Sequence, residues 1–225
     1  MNLLGIETSS STGSIALRLP EGIVVRTIAT PREQTERLLA LADELLGESG
    51  LQLRALDAIA FGRGPGSFTG LRVAAAVAQG FAVASGVPLL PVSSLLCIAQ
   101  GAFRAAGARR CLVCVDAHMG EAYWGEFEVV DGRAEPVGPE RLSSPAEVAP
   151  SLQSGWTAVG DGFVAHRAAL EGVVGSAERV LPELRPSAED LFPQAERDLA
   201  AGRAVAAAQA LPVYLREHTA WRRSS

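Results

Sequence analysis

Gly62-Arg63-Gly64-Pro65-Gly66-Ser67-Phe68-Thr69-Gly70-Leu71-Arg72 sets four glycines and a proline between an apolar strand-like run, Leu56 to Phe61, and an alanine-rich helical run. Glycine admits positive φ and lets backbone approach closely, proline fixes a turn, and the free N–H groups of the next helix point back into the loop. That composition suits a phosphate cradle, yet the phosphate motifs fail on spacing. A P-loop needs Gly-Lys-Ser/Thr, and this chain contains no lysine, so all 20 of its Lys+Arg residues are arginine. Schiff-base, P-loop and kinase-strand lysines are thereby excluded. Gly64, Gly66 and Gly70 give GxGxxxG, one residue longer than the dinucleotide fingerprint, and the loop holds no GxSxG elbow.

Outward from the loop, Asn2 to Glu7 and Ser14 to Leu19 read as a β-hairpin around the polar loop Thr8 to Gly13, with a third strand over Ile23 to Ala29. Thr30-Pro31-Arg32-Glu33 starts a helix with a capping box, and Leu38, Leu39, Ala42, Leu45 and Leu46 form its apolar stripe. The helix after the glycine loop is expected from Thr69 to Ser85, stopped by Gly86 and Pro88. Gln79 is the one strongly polar side chain between Arg72 and Ser85, so this helix must be covered on most sides. Its narrow Arg72, Ala76, Gln79 and Val83 face is either buried by the chain itself or offered to a partner.

Further on, Val87 to Val92 is expected as a strand, Ser93 to Ala106 as a helix, and Arg110 to Asp116 with Tyr123 to Val130 as a second hairpin. A capped helix at Ser144 to Glu147, a strand at Trp156 to Val159, a helix around Ala165 to Glu171 and a final helix over Ser187 to Ala201, capped with Asp190 and kinked at Pro193, complete the pass. The second half repeats the first in the order of its elements, which implies two similar α/β lobes.

At 225 residues, 48% hydrophobic and 20% charged, the chain can bury a full core. A net charge of −5 argues against gripping nucleic acid unaided, and the small basic cluster from Arg216 to Arg223 reads as a solvated terminus. With no basic leader, a longest apolar stretch (Val73 to Ala84) too short to span a bilayer, and three cysteines, the expectation is a cytoplasmic protein that uses no membrane.

Cys111-Leu112-Val113-Cys114 has metal-site spacing, but on a strand positions i and i+3 face opposite ways, so both are read as core cysteines. His118, His166 and His218 are far apart and form no helical pair; His118, beside Asp116 and Glu121, is the best placed. No metal site and no catalytic residue is assigned. Glu7, Thr8, Ser9 and Ser10 are candidates for contacting a magnesium-bound nucleotide, opposed by Asp116 and Glu121, with a polar hairpin turn as the plain alternative.

Leu4-Gly5-Ile6-Glu7-Thr8-Ser9-Ser10, the Gly64 to Arg72 block, Pro91-Val92-Ser93-Ser94-Leu95, Val115-Asp116-Ala117, Gly160-Asp161-Gly162 and Pro212-Val213-Tyr214-Leu215-Arg216 occur together in this order. In these blocks the chain resembles the TsaB (YeaZ) family. The resemblance implies a two-lobed actin/hexokinase-like (ASKHA) α/β fold, with a mixed sheet and flanking helices in each lobe. The first lobe would span 1–106, completed by the C-terminal helix around 187–212, and the second 107–186.

It further implies a non-catalytic paralogue of the TsaD transferase, needed to form N6-threonylcarbamoyladenosine at position 37 of tRNAs that read ANN codons. The implied partners are a TsaD-type transferase in a heterodimer and a TsaE-type ATPase in a larger complex, with tRNA met only through the complex and ATP or ADP held there rather than firmly by this chain. Helix pairs of the two first lobes would form the contact, matching the Arg72, Ala76, Gln79 and Val83 face, and the same face would make a weak homodimer. The catalytic relative carries HxxxH on the helix that here runs from Arg32 to Leu46 without histidine. Where family members commonly show His-Ser-Glu, this chain reads Gln34-Thr35-Glu36. The rival readings are a free-standing ATP-dependent small-molecule kinase or ATPase of the same fold and, with no triad spacing behind it, a peptidase.

Overall fold

The computed structural model describes residues 1–151 and 154–216. Strands β1 (Leu3–Glu7), β2 (Gly13–Leu19), β3 (Gly22–Ile28), β4 (Ala58–Gly64) and β5 (Leu89–Ser93) form one sheet in the order β3-β2-β1-β4-β5. The β1–β2–β3 meander is antiparallel, and β4 and β5 add in parallel. A second sheet contains β6 (Arg110–Asp116), β7 (Ala122–Val130), β8 (Arg133–Pro136), β10 (Thr157–Val159) and β11 (Arg179–Leu181), with the short β9 (Arg141–Ser143) paired to β7. Its order, β8-β7-β6-β10-β11, repeats the first sheet strand for strand, including the antiparallel hairpin and the two parallel additions. The two-lobed actin/hexokinase-like architecture follows from that duplication.

Period-two alternation sends side chains into separate layers. Leu4, Ile6, Ile15, Leu17, Ile59 and Phe61 point outward from the first sheet to α1 (Pro31–Glu48) and α2 (Phe68–Ser85). Leu3, Ala16, Ala58 and Ala60 point inward, onto α3 (Ser94–Ala106), α6 (Phe192–Ala200) and the inner face of the second sheet. Leu112, Cys114, Trp156 and Ala158 face the far side, closed by α4 (Gly162–Ala165) and α5 (Arg167–Val174). Cys111 lies in the central layer and Cys114 in the outer one, and burial pushes both thiols up to about 12. Their sulfurs diverge as the strand geometry requires.

Several expected elements differ. In α1, Thr30 caps Glu33 N–H at 3.3 Å, but Leu39 is 58% exposed and Leu41 takes its place in the core. The segment expected as a helix at Ser144 is a single 3-10 turn, because the chain turns extended at Val148 and buries that side chain. The helix around Ala165 divides at His166 into α4 and α5. The final helix also divides, into a 3-10 turn over Ala188–Leu191 followed by α6. Asp190 makes no cap, since its buried carboxylate takes a two-pronged bond from Arg104 at 2.7 and 2.9 Å, and Pro193 sits in the first turn of α6, where no N–H is needed and no kink results. α2, 18 residues long, is long and apolar enough by composition to cross a membrane, longer than the stretch weighed above; here Leu71, Ala74, Ala75, Ala78 and Ala82 pack it on the first sheet.

Candidate functional site

The glycine loop is filled by the chain's own first hairpin. A Cβ on Gly62 would overlap Glu7 Oε2, one on Gly70 would overlap the backbone oxygen of Thr8, and one on Gly66 would stand 2.5 Å from Ser9 O. Gly64 also needs its left-handed φ of 102°. Hydrogen bonds fasten the two segments: Ser67 N–H donates to Ser9 O at 2.7 Å, and Thr8 Oγ1 donates to Gly70 O at 2.7 Å. Ser67 caps α2 through Gly70 N–H at 3.3 Å. The close approach that suggested phosphate is made instead to residues 7–9.

Of the four nucleotide candidates, Glu7 and Thr8 are fully buried and Ser9 nearly so. The Glu7 carboxylate accepts from Ser9 N–H at 2.6 Å and Ser94 Oγ at 3.0 Å; burial nevertheless raises its pKa above the ordinary 4.5. A raised folded-state value means that its stabilising contribution is fully present below the unfolded pKa and is lost as pH rises through the folded one. Glu7→Gln, nearly isosteric, should therefore raise the melting temperature at pH 7 to 8, with the gain shrinking toward pH 4. An equal loss at every pH in thermal unfolding would contradict this account.

Between the lobes lies a cleft of about 510 Å³, walled by Ser9, Ser10, Ser11, Gly66, Ser67 and Phe68 on one side and by Asp116, His118, Met119, Tyr123 and Asp161 on the other, with Arg216 at its rim. Ser9 and Ser10 thus reach it and Glu7 does not. Asp116 accepts from His118 N–H at 2.9 Å and contacts His118 Nδ1 at 3.1 Å and His166 Nε2 at 3.0 Å. Glu121 pairs with Arg216, and Asp161 with Arg185 at 3.5 Å. The acids that the sequence set opposite Glu7 are thus engaged internally, and among the described residues no three His, Cys, Asp or Glu side chains gather as a metal group.

On α2, Arg72, Ala76 and Val83 are exposed, Val83 to 79%; Gln79 is half-buried, its amide donating to Ala210 O at 3.0 Å. Leu39 on α1 and Phe68 at the start of α2 add exposed apolar surface to the same helical layer.

Three contributors escaped the sequence reading. Gln34, 2% exposed, donates to Ser10 O at 3.1 Å and packs where a Cβ on Gly13 would clash, so it braces the hairpin loop. His166 reaches Asp116 from 50 residues away. Arg216, read as part of a solvated end, folds back onto the second lobe; His218 and the rest of that basic cluster lie outside the described residues.

Residues 14–219 match the model of the family described as TsaD, tRNA N6-adenosine threonylcarbamoyltransferase. The chain is 39% identical to the tRNA threonylcarbamoyladenosine biosynthesis protein TsaB of Escherichia coli K12, over 99% of this chain and 98% of that protein. It is 32% identical to the Haemophilus influenzae protein of the same name, over 99% and 97%. The structure of YeaZ from Pseudomonas aeruginosa superposes with a TM-score of 0.86 at 38% identity, covering 95% of this chain and all of that one.

Proposed function

The chain belongs to the TsaB (YeaZ) family, and we propose that it serves tRNA N6-threonylcarbamoyladenosine formation as a non-catalytic subunit that binds and activates a TsaD-type transferase. The observation that carries this is the bare outer face of α2 around Ala76, flanked by Val83 and Phe68. A partner of the same fold would lay its own helix pair across this layer, and the small side chain at Ala76 lets the two helices approach closely. Without the partner the face pairs weakly with a second copy of itself. A TsaE-type ATPase joins the larger assembly, and tRNA is met through the complex, in keeping with the chain's net charge of −5.

Nucleotide, where the complex uses it, is held with the partner's help, since Glu7 and Thr8 are committed to internal bonds. The absence of lysine, and of histidine from α1, is consistent with a subunit that supplies no catalytic group.

One observation favours the rival kinase or ATPase reading: the inter-lobe cleft of about 510 Å³ is of a size that suits a small ligand. Mixing the purified chain with its TsaD-type partner separates the readings. A single co-eluting complex on size exclusion is expected, and two separate peaks at micromolar concentration would overturn the docking proposal.

A further inference from the structure

Residues 210–216 leave the first lobe's core, run along α2 from Gln79 to its N-terminal end beside the cleft and reach the second lobe, with bonds at both ends and between. Gln79 Nε2 donates to Ala210 O at 3.0 Å, and Val213 N–H donates to Arg63 O at 2.8 Å inside the glycine loop. Arg72 Nε donates to the Tyr214 hydroxyl at 3.3 Å; the Tyr214 ring stands 5.6 Å from that of Phe68, on whose face the Arg72 guanidinium sits at 3.8 Å. At the far end Arg216 donates to Ala117 O at 3.1 Å and His118 O at 3.4 Å and pairs with Glu121. All three belong to the β6–β7 hairpin tip.

That tip is strained. His118 and Met119 hold left-handed φ values of 58° and 57°, a conformation that persists in non-glycine residues only where the surroundings over-determine it. Locally, Asp116 accepts from His118 N–H, Glu121 N–H donates to His118 O at 3.1 Å and Ala117 N–H to Glu121 O at 3.0 Å; the Arg216 guanidinium on two successive carbonyls adds a restraint from outside the hairpin.

We infer that residues 210–216 form a clasp that locks the second lobe's hairpin tip to α2, with Arg216 as the positioning residue. The inference rests on the docking role of α2 for its consequence, though not for its geometry. Tyr214 and Phe68 are 40% and 50% exposed beside Arg72, so the clasp is continuous with the face offered to the partner. A change in lobe angle moves Tyr214 and Arg72 together, and a docked partner holds the cleft at one width. Coupling of this kind requires an element with two positions that both sites bias; the clasp, fastened or released, is that element.

The test uses the full chain with spin labels on Glu44→Cys in α1 and Glu171→Cys in α5, both exposed, while the three native cysteines are buried. Arg216→Gln and Glu121→Gln should each broaden the inter-lobe distance distribution and weaken binding to the TsaD-type partner by about tenfold. The conservative change Arg216→Lys, which keeps a cation for Glu121 and N–H donors for the Ala117 and His118 carbonyls, should retain a narrow distribution. Unchanged distributions in both single variants would overturn the clasp. A broadened distribution with wild-type partner affinity would overturn its coupling to docking and leave the docking face standing. Conversely, Ala76→Arg that still binds partner would remove the docking role while leaving the distance measurements intact.

Discussion

Ala76→Arg should abolish association with the TsaD-type partner, by at least about a hundredfold in affinity, while the isolated chain keeps its fold. Ala76 is exposed on α2, so the new side chain can extend into solvent in the monomer, and surface changes of this kind shift stability by about 0.5 kcal/mol or less. In a helix-on-helix contact the same side chain occupies the space where two backbones must approach, and a charge trapped there without a partner adds desolvation to the clash. The reading is co-elution on a sizing column beside a thermal melt. Loss of the complex with an unchanged melting temperature is expected, and an intact complex would move the interface to another face.

Gly70→Ala should have the largest effect on the fold itself. Glycine inside a helix ordinarily costs about 1 kcal/mol relative to alanine, so propensity alone predicts a gain. Packing reverses the sign, because the added methyl would overlap the backbone oxygen of Thr8, which has no side-chain freedom with which to yield. Overpacking against fixed backbone costs about 3 kcal/mol or more, and the shift would also break the Thr8 Oγ1 bond to Gly70 O. Urea unfolding should show a chain that is strongly destabilised or no longer folds. A variant as stable as the parent would mean that the hairpin and α2 do not approach as closely as described.

What the sequence discloses and what it conceals divide along the distance over which the information is carried. Alternation along Arg110–Asp116 is local, and it correctly sent Cys111 and Cys114 into different layers. The order of elements was enough to expect two like lobes, although not that the sheets would match strand for strand. Leu38, Leu39, Leu41 and Ala42 are too dense for periodicity to tell which leucine faces solvent; the position of α2 and the sheet decides it. The pairing of His166 with Asp116 and the contact of Arg216 with residues 117–121 span tens of residues and have no local trace.

The glycine loop combined both cases. Its need for close backbone approach was legible, but what it approaches was not, because residues 7–9 stand more than fifty positions away in the chain. A loop shaped to accept phosphate and a loop shaped to accept a neighbouring hairpin draw on the same freedom of glycine.

The central claim is that this chain acts on tRNA only through its partner. Its most direct test measures threonylcarbamoyladenosine formation, together with ATP hydrolysis, for the purified chain alone, the TsaD-type transferase alone, and the two combined. Modification that requires both proteins, with no turnover of ATP by the lone chain, is the predicted result; robust hydrolysis or tRNA modification by the lone chain would contradict it.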